Sequence, residues 1–286
     1  MIITFSACAR RCITKTGYQF AFLLMGFLIA LPVAVGDGSP YPNWLIERLE
    51  QSHDLTGIDY LRIENKYGDM RVRVSDDDTL SIYGVSQRHD EDPVLPKLVF
   101  KSEGLVASLV VAYPENPANS GASLEALQLR RRIDIAVFVP RDLKINAQTT
   151  NGLIQVKGHQ GFVEATTQKG DISVHSHHAV SLKSHAGNIS AILRNPIPPQ
   201  PSSITTHTGR IHVLFMEDAS VLTEITTAGA ITSDYSIDIT PFPGSHKKQA
   251  VAILGEGGAN LHIASERGAI TLARNSEMLQ IKPADH

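Results

Sequence analysis

Six histidines, His175, His177, His178, His185, His207 and His212, are the side chains in this sequence best suited to chemistry. Imidazole is a common ligand for zinc and related metals, and His175 and His177 share a face if their segment is a strand. A metal centre also needs converging acids or further imidazoles, and the main acidic candidates nearby are Asp171 and Glu164. The outward positions of a repeating β structure accept any polar residue, so the reading is that the His175–His212 group holds no metal. His185 and His207 occupy the same position in consecutive copies of a repeat described below. They are predicted to point outward and to stack about 4.8 Å apart, unless the proline-rich insertion between them displaces one ring.

The acidic residues are no more suggestive. Carbohydrate lyases built on longer β-solenoids hold calcium with neighbouring aspartates and remove a proton with a basic residue. Here the residues just after the repeated glycines are Leu153, Asp171, Asn188, Arg210, Ala230 and Ala269, and one aspartate in that column makes no calcium site. Asp76, Asp77 and Asp78 precede Thr79 and read as a solvated turn. The single tryptophan, Trp44, lies outside the repeats, so an aromatic sugar platform is not expected. No nucleophile elbow, phosphate loop or zinc-protease motif occurs. No catalytic residue, cofactor-binding residue, metal ligand or cofactor is predicted.

The elements that would position these side chains follow from a recurring phrase. It reads Gln148-Thr-Thr-Asn-Gly152-Leu-Ile-Gln-Val156, Thr166-Thr-Gln-Lys-Gly170-Asp-Ile-Ser-Val174, Lys183-Ser-His-Ala-Gly187-Asn-Ile-Ser-Ala191 and Thr205-Thr-His-Thr-Gly209-Arg-Ile-His-Val213. Two later copies centre on Gly229 and Gly268. The glycine steps are 18, 17, 22, 20 and 39 residues, and self-similarity at this period marks a repeat architecture. The last step is about two ordinary ones, which suggests a copy eroded or replaced by an insertion.

Isoleucine stands two residues after every glycine: Ile154, Ile172, Ile189, Ile211, Ile231 and Ile270. A hydroxyl stands three before: Thr149, Thr167, Ser184, Thr206, Thr226 and Ser265. By the two-residue period of a strand, these positions and the mostly apolar ones five and seven before the glycine face one interior. Glycine makes the corner between two strands because it tolerates positive φ. Glu224, five before Gly229, breaks the apolar column. An antiparallel meander would set equivalent residues two strands apart, whereas stacked coils place them about 4.8 Å apart, where like side chains touch.

The expected fold is all-β: a single-domain β-solenoid (β-helix-like) of stacked 17–22-residue coils with an N-terminal β capping region. Strands from 58 to 142 would cap one end, coils would run from 143 to 273, and the last strand with the charged tail 274–286 would cap the other. Pro42 to Gln51, within a linker 37–57, carries a short helical pattern with Asn43 as N-cap. Pro114–Ser123, Arg194–Pro201 and Pro241–Lys248 read as surface loops.

Residues 1–36 have the plan of a secretory signal peptide. Arg10, Arg11 and Lys15 precede an apolar run starting at Phe20, and Ala34-Val35-Gly36 offers a small-residue exit before Asp37. From Phe20 to Val35 is 16 residues, short of the roughly 20 that a spanning helix needs. Removing this segment takes three positive charges away, so the formal charge falls from −3 to −6. It also removes Cys8 and Cys12, the only cysteines. The mature chain would hold no disulfide or thiolate, and its acidic balance argues against nucleic acid as a partner. No membrane insertion is expected after cleavage.

Several stretches resemble the bacterial putative-adhesin domain family of unknown function. They are Leu61-Arg-Ile-Glu-Asn-Lys-Tyr-Gly68-Asp-Met-Arg-Val72, Val137-Phe-Val-Pro140, the Thr-x-x-Gly-x-Ile coils, and Gly255-Glu-Gly-Gly258 before Leu261-His-Ile263. The resemblance covers about residues 58 to 273 and implies an exported β-solenoid with an adhesive or surface role and no catalytic residues. The functional expectation is a non-catalytic, adhesin-like protein of the cell envelope or surface that binds a glycan or protein ligand. It would be found in the periplasm, at the cell surface or outside the cell. The competing readings are a carbohydrate-active solenoid enzyme (polysaccharide lyase or hydrolase-like) and a purely structural envelope scaffold.

Overall fold

A computed structural model describes residues 44–89, 96–113, 131–194, 201–216 and 219–275. The expected signal segment 1–36, the Pro114–Ser123 loop, most of the Arg194–Pro201 loop and the tail from 276 lie outside these residues. Among the described residues every regular element is a β-strand, and the strands form two large, mostly parallel sheets.

Each glycine phrase joins a strand of one sheet to a strand of the other. The pairs are β8 (Lys144–Asn151) with β9 (Ile154–His159), β10 (Val163–Lys169) with β11 (Ile172–Ser176), and β12 (Val180–Ala186) with β13 (Ile189–Leu193). They continue as β14 (Ser202–Thr206) with β15 (Ile211–Phe215), β16 (Val221–Thr227) with β17 (Ile231–Ser233), and β20 (Ala259–Ser265) with β21 (Ile270–Arg274). Neighbouring copies pair in parallel, and equivalent residues are direct register partners: Ile172 faces Ile154 on one side and Ile189 on the other. A meander would have separated them by a strand. The isoleucines two after the glycine form a buried column, except that Ile231 on the terminal strand β17 is only partly covered. Burial of each such side chain contributes about 1.5–3 kcal/mol, which makes this column a main tie between copies.

The N-terminal part differs from its expected role. β2 (Tyr60–Tyr67) and β3 (Met70–Ser75) are not capping strands but a further copy in full register, with Met70 beside Ile154 and Leu61 beside Ile145. β6 (Val106–Ala112) and β7 (Arg131–Pro140) add parallel strands outside β2 and β3. The antiparallel cap at this end consists of β1 (Trp44–Asp54), β4 (Thr79–His89) and β5 (Lys97–Glu103). The helical pattern in the 37–57 linker is overturned, since Trp44 through Asp54 pairs with β4 along its whole length. A one-turn apolar pattern is a weak local preference, and eleven residues of ladder override it.

The far end also departs from chain order. The last copy, β20 with β21, lies between β14–β15 and β16–β17. The 39-residue step therefore hides no eroded coil. It holds β18 (Asp238–Pro241) and β19 (Lys248–Leu254), two antiparallel strands that extend the second sheet beyond β16 and cap it. The final strand β21 is interior, so it does not cap the stack.

Glu224 is not a break in the core. In this copy Val221, Thr223, Ile225 and Thr227 point inward, and Glu224 points out. The phrase is one residue shorter at its corner, so Thr227 rather than Thr226 takes the inward hydroxyl position, opposite Ser265.

Candidate functional site

The glycine corner is the most repeated piece of chemistry in the molecule. A Cβ on Gly187 would lie 1.8 Å from the Gly170 carbonyl oxygen, and one on Gly209 would lie 1.7 Å from that of Gly187. Gly68, Gly152, Gly170, Gly268 and Gly229 meet a neighbouring backbone carbonyl in the same way. Close approach of the next copy thus demands glycine at every level, whereas positive φ applies only to Gly68, Gly152 and Gly170 of this column.

Four of the inward hydroxyls donate to the same carbonyls, whereas Thr149 Oγ1 donates to Lys66 O and Thr167 Oγ1 is buried with no hydrogen-bond partner. Ser184 Oγ donates to Gly170 O, Thr206 Oγ1 to Gly187 O and Ser265 Oγ to Gly209 O, each at 3.1 Å, and Thr227 Oγ1 donates to Gly268 O at 2.8 Å. Asn65 substitutes in the first copy, where its Nδ2 donates to Ile133 O at 2.7 Å and its Oδ1 accepts from the Tyr113 hydroxyl. Burial raises the Tyr113 phenol above its ordinary range.

The column after the glycine is also structural. Asp171 Oδ1 accepts from Asn188 N at 2.7 Å, and Asn188 Oδ1 accepts from Arg210 N at 3.0 Å. Asp69 does the same for Leu153 N. Asp171 therefore holds the next copy. Asp76, Asp77 and Asp78 lie on an exposed bend at the opposite end of the strands, lining a cleft of about 680 Å³, and Asp76 pairs with Arg141 at 2.5 Å.

The six histidines do not converge. His212 is exposed on the outer face of the first sheet, between Ser190 and Thr271. His175 and His177 stack with centroids 5.9 Å apart near the non-glycine corner, with His178 beside them. Burial lowers the pKa of both stacked rings, and the nearby Arg194 lowers it further; His177 and Lys157 add to the effect on His175, and Arg141 to that on His177. Cations rather than acids face these rings, and among the described residues no group of three or more His, Cys, Asp or Glu could hold a metal ion.

One histidine escaped the sequence reading. His159 is fully buried, with Nε2 2.5 Å from Leu143 O, and burial pushes its pKa down to about 4. Gly158, at φ 75°, sits where the β9–β11 register shifts. The bulge turns His159 from the outward face that simple alternation assigns it to the inward one. A glycine inside a strand pattern was the available signal.

His185 and His207 stack as expected, with centroids 5.0 Å apart and planes within 5°. The sequence reading did not foresee their third member. Because the last copy lies next to β14, Glu266 stands beside His207, with Oε2 2.9 Å from Nδ1. Around them the outer face of the second sheet forms aligned rows. One runs Thr166, Lys183, Thr205, Ala264, Thr226, and the next is Gln168, His185, His207, Glu266. Together with Lys247, from the loop between β18 and β19, these rows line a groove of about 460 Å³.

No family model matches this chain, and no curated protein matches it. Two solved structures are similar. One is a putative cell adhesion protein from Clostridium sporogenes ATCC 15579, with TM-score 0.46 and 9% identity, covering 81% of this chain and 100% of that one. The other is a putative adhesin from Bacteroides fragilis NCTC 9343, with TM-score 0.29 and 9% identity, covering 80% and 97%. Likeness at these values carries no functional argument. No helix among the described residues is long and apolar enough to cross a membrane.

Proposed function

We propose that this is an exported, non-catalytic, adhesin-like protein that binds a glycan or protein ligand at the bacterial cell envelope or surface. Its two sheets act as walls of a β-solenoid over residues 58–273, and residues 1–36 are its signal peptide. The observation that carries this reading is the aligned outer face of the second sheet. Stacked copies present polar side chains in straight rows at strand spacing, an arrangement suited to holding an extended ligand without a reaction centre. The sequence plan of residues 1–36 supports export. The test is a glycan array followed by incubation of each bound glycan with the protein. Binding with no product released is expected. Release of shortened or unsaturated sugars would replace this reading with a carbohydrate-active enzyme.

A further inference from the structure

The groove over β10, β12, β14, β20 and β16 has a specific composition. Its floor carries the hydroxyls of Thr166, Thr205 and Thr226, and its charged groups are Lys183, Lys247 and Glu266. Glu266 is already engaged by His207. Among the described residues no carboxylate forms a salt bridge with either lysine, in a chain whose formal charge is negative. The two stacked imidazoles add further polar ring atoms along the same wall. No Trp, Tyr or Phe lines the groove, so a neutral sugar has no ring to stack against. Five strands at about 4.8 Å spacing give a track about 19 Å from first to last, running along the stack.

We propose that this groove is a binding site for an acidic polysaccharide. The threonine row exchanges hydrogen bonds with sugar hydroxyls, while Lys183 and Lys247 hold carboxylate or sulfate groups along the polymer. Thr205 lies between Lys183 and the Thr226 end of the row, so hydroxyl and charge recognition are interleaved. The inference deepens the proposed function, since it names the ligand class for the outer face on which that reading rests.

The test measures binding of the protein to polygalacturonate, dextran and polyglutamate, with Lys183→Ala, Lys247→Ala and, as a control at the other end of the sheet, Lys101→Ala. Polygalacturonate should bind more tightly than either other polymer, and added salt should loosen it. Loss of both groove lysines should weaken it roughly tenfold or more, with Lys101→Ala matching the parent. Equal binding of dextran overturns the role of charge, and equal binding of polyglutamate overturns the role of sugar. Unchanged binding in the double lysine variant overturns the site. If none of the three polymers binds, the inference fails, while the glycan array still decides the broader reading with other ligands.

Discussion

The Cα of Gly209 faces the carbonyl of Gly187 so closely that a methyl group there would sit 1.7 Å from its oxygen. Real Cβ atoms do not approach so near, so any side chain must push two copies apart. Gly209→Ala should therefore destabilise by about 3 kcal/mol or more, in the upper range of overpacking effects. Gly258→Ala is the control, because its added Cβ meets nothing nearer than Ser220 Oγ at 3.4 Å. Thermal or denaturant unfolding compares them. Equal tolerance of the two alanines would mean that the copies are not in contact at their corners.

The hydroxyl column supplies a second comparison. Thr206 Oγ1 donates to Gly187 O and accepts from Gly209 N, whereas Thr167 Oγ1 is buried with no hydrogen-bond partner. Val has nearly the same shape as Thr. Thr206→Val should cost about 1–3 kcal/mol, because a carbonyl and an amide lose their partner. Thr167→Val should be neutral or stabilising, since it removes only an unpaired hydroxyl. Denaturant midpoints of the two variants check this, and a cost for Thr167→Val equal to that for Thr206→Val would show that the ladder is not the reason for the column.

The repeat was legible because its physical demands act through short spacings. A glycine, an inward hydroxyl three before it and an isoleucine two after it all serve contacts with the adjacent copy, so the period appears in sequence. What stayed hidden depends on which copies become adjacent. Nothing local to Gly268 says that its copy enters between those of Gly209 and Gly229, and with that order unknown the Glu266–His207 pair could not be foreseen. The first copy was hidden for a different reason. Asn65 and Met70 fill the hydroxyl and isoleucine positions there with other residue types, which keep the inward volume and the corner hydrogen bond but not the pattern. The β1 strand was misread because its pairing with β4 is entirely tertiary.

Buried His159 makes stability depend on acidity. Burial lowers its folded-state pKa from 6.5 to about 4, and the hydrogen bond to Leu143 O and the charge of Asp142 oppose this only in part. The unfolded chain therefore takes up a proton as pH falls below about 6.5, while the folded protein resists until about pH 4. Stability from this group is complete above the unfolded pKa and is lost as pH falls through that window. The full loss is on the order of 3 kcal/mol, at 1.36 kcal/mol per pKa unit. His175 and His177 are lowered as well and add slope of the same sign. His159→Gln should be less stable than the parent at neutral pH, because its shape and its bond to Leu143 O are disturbed, yet it should lose less on acidification. Thermal unfolding from pH 7 to pH 4 of the parent and this variant reads both effects. Parallel acid slopes for the two proteins would place the titration elsewhere and refute the assignment to His159.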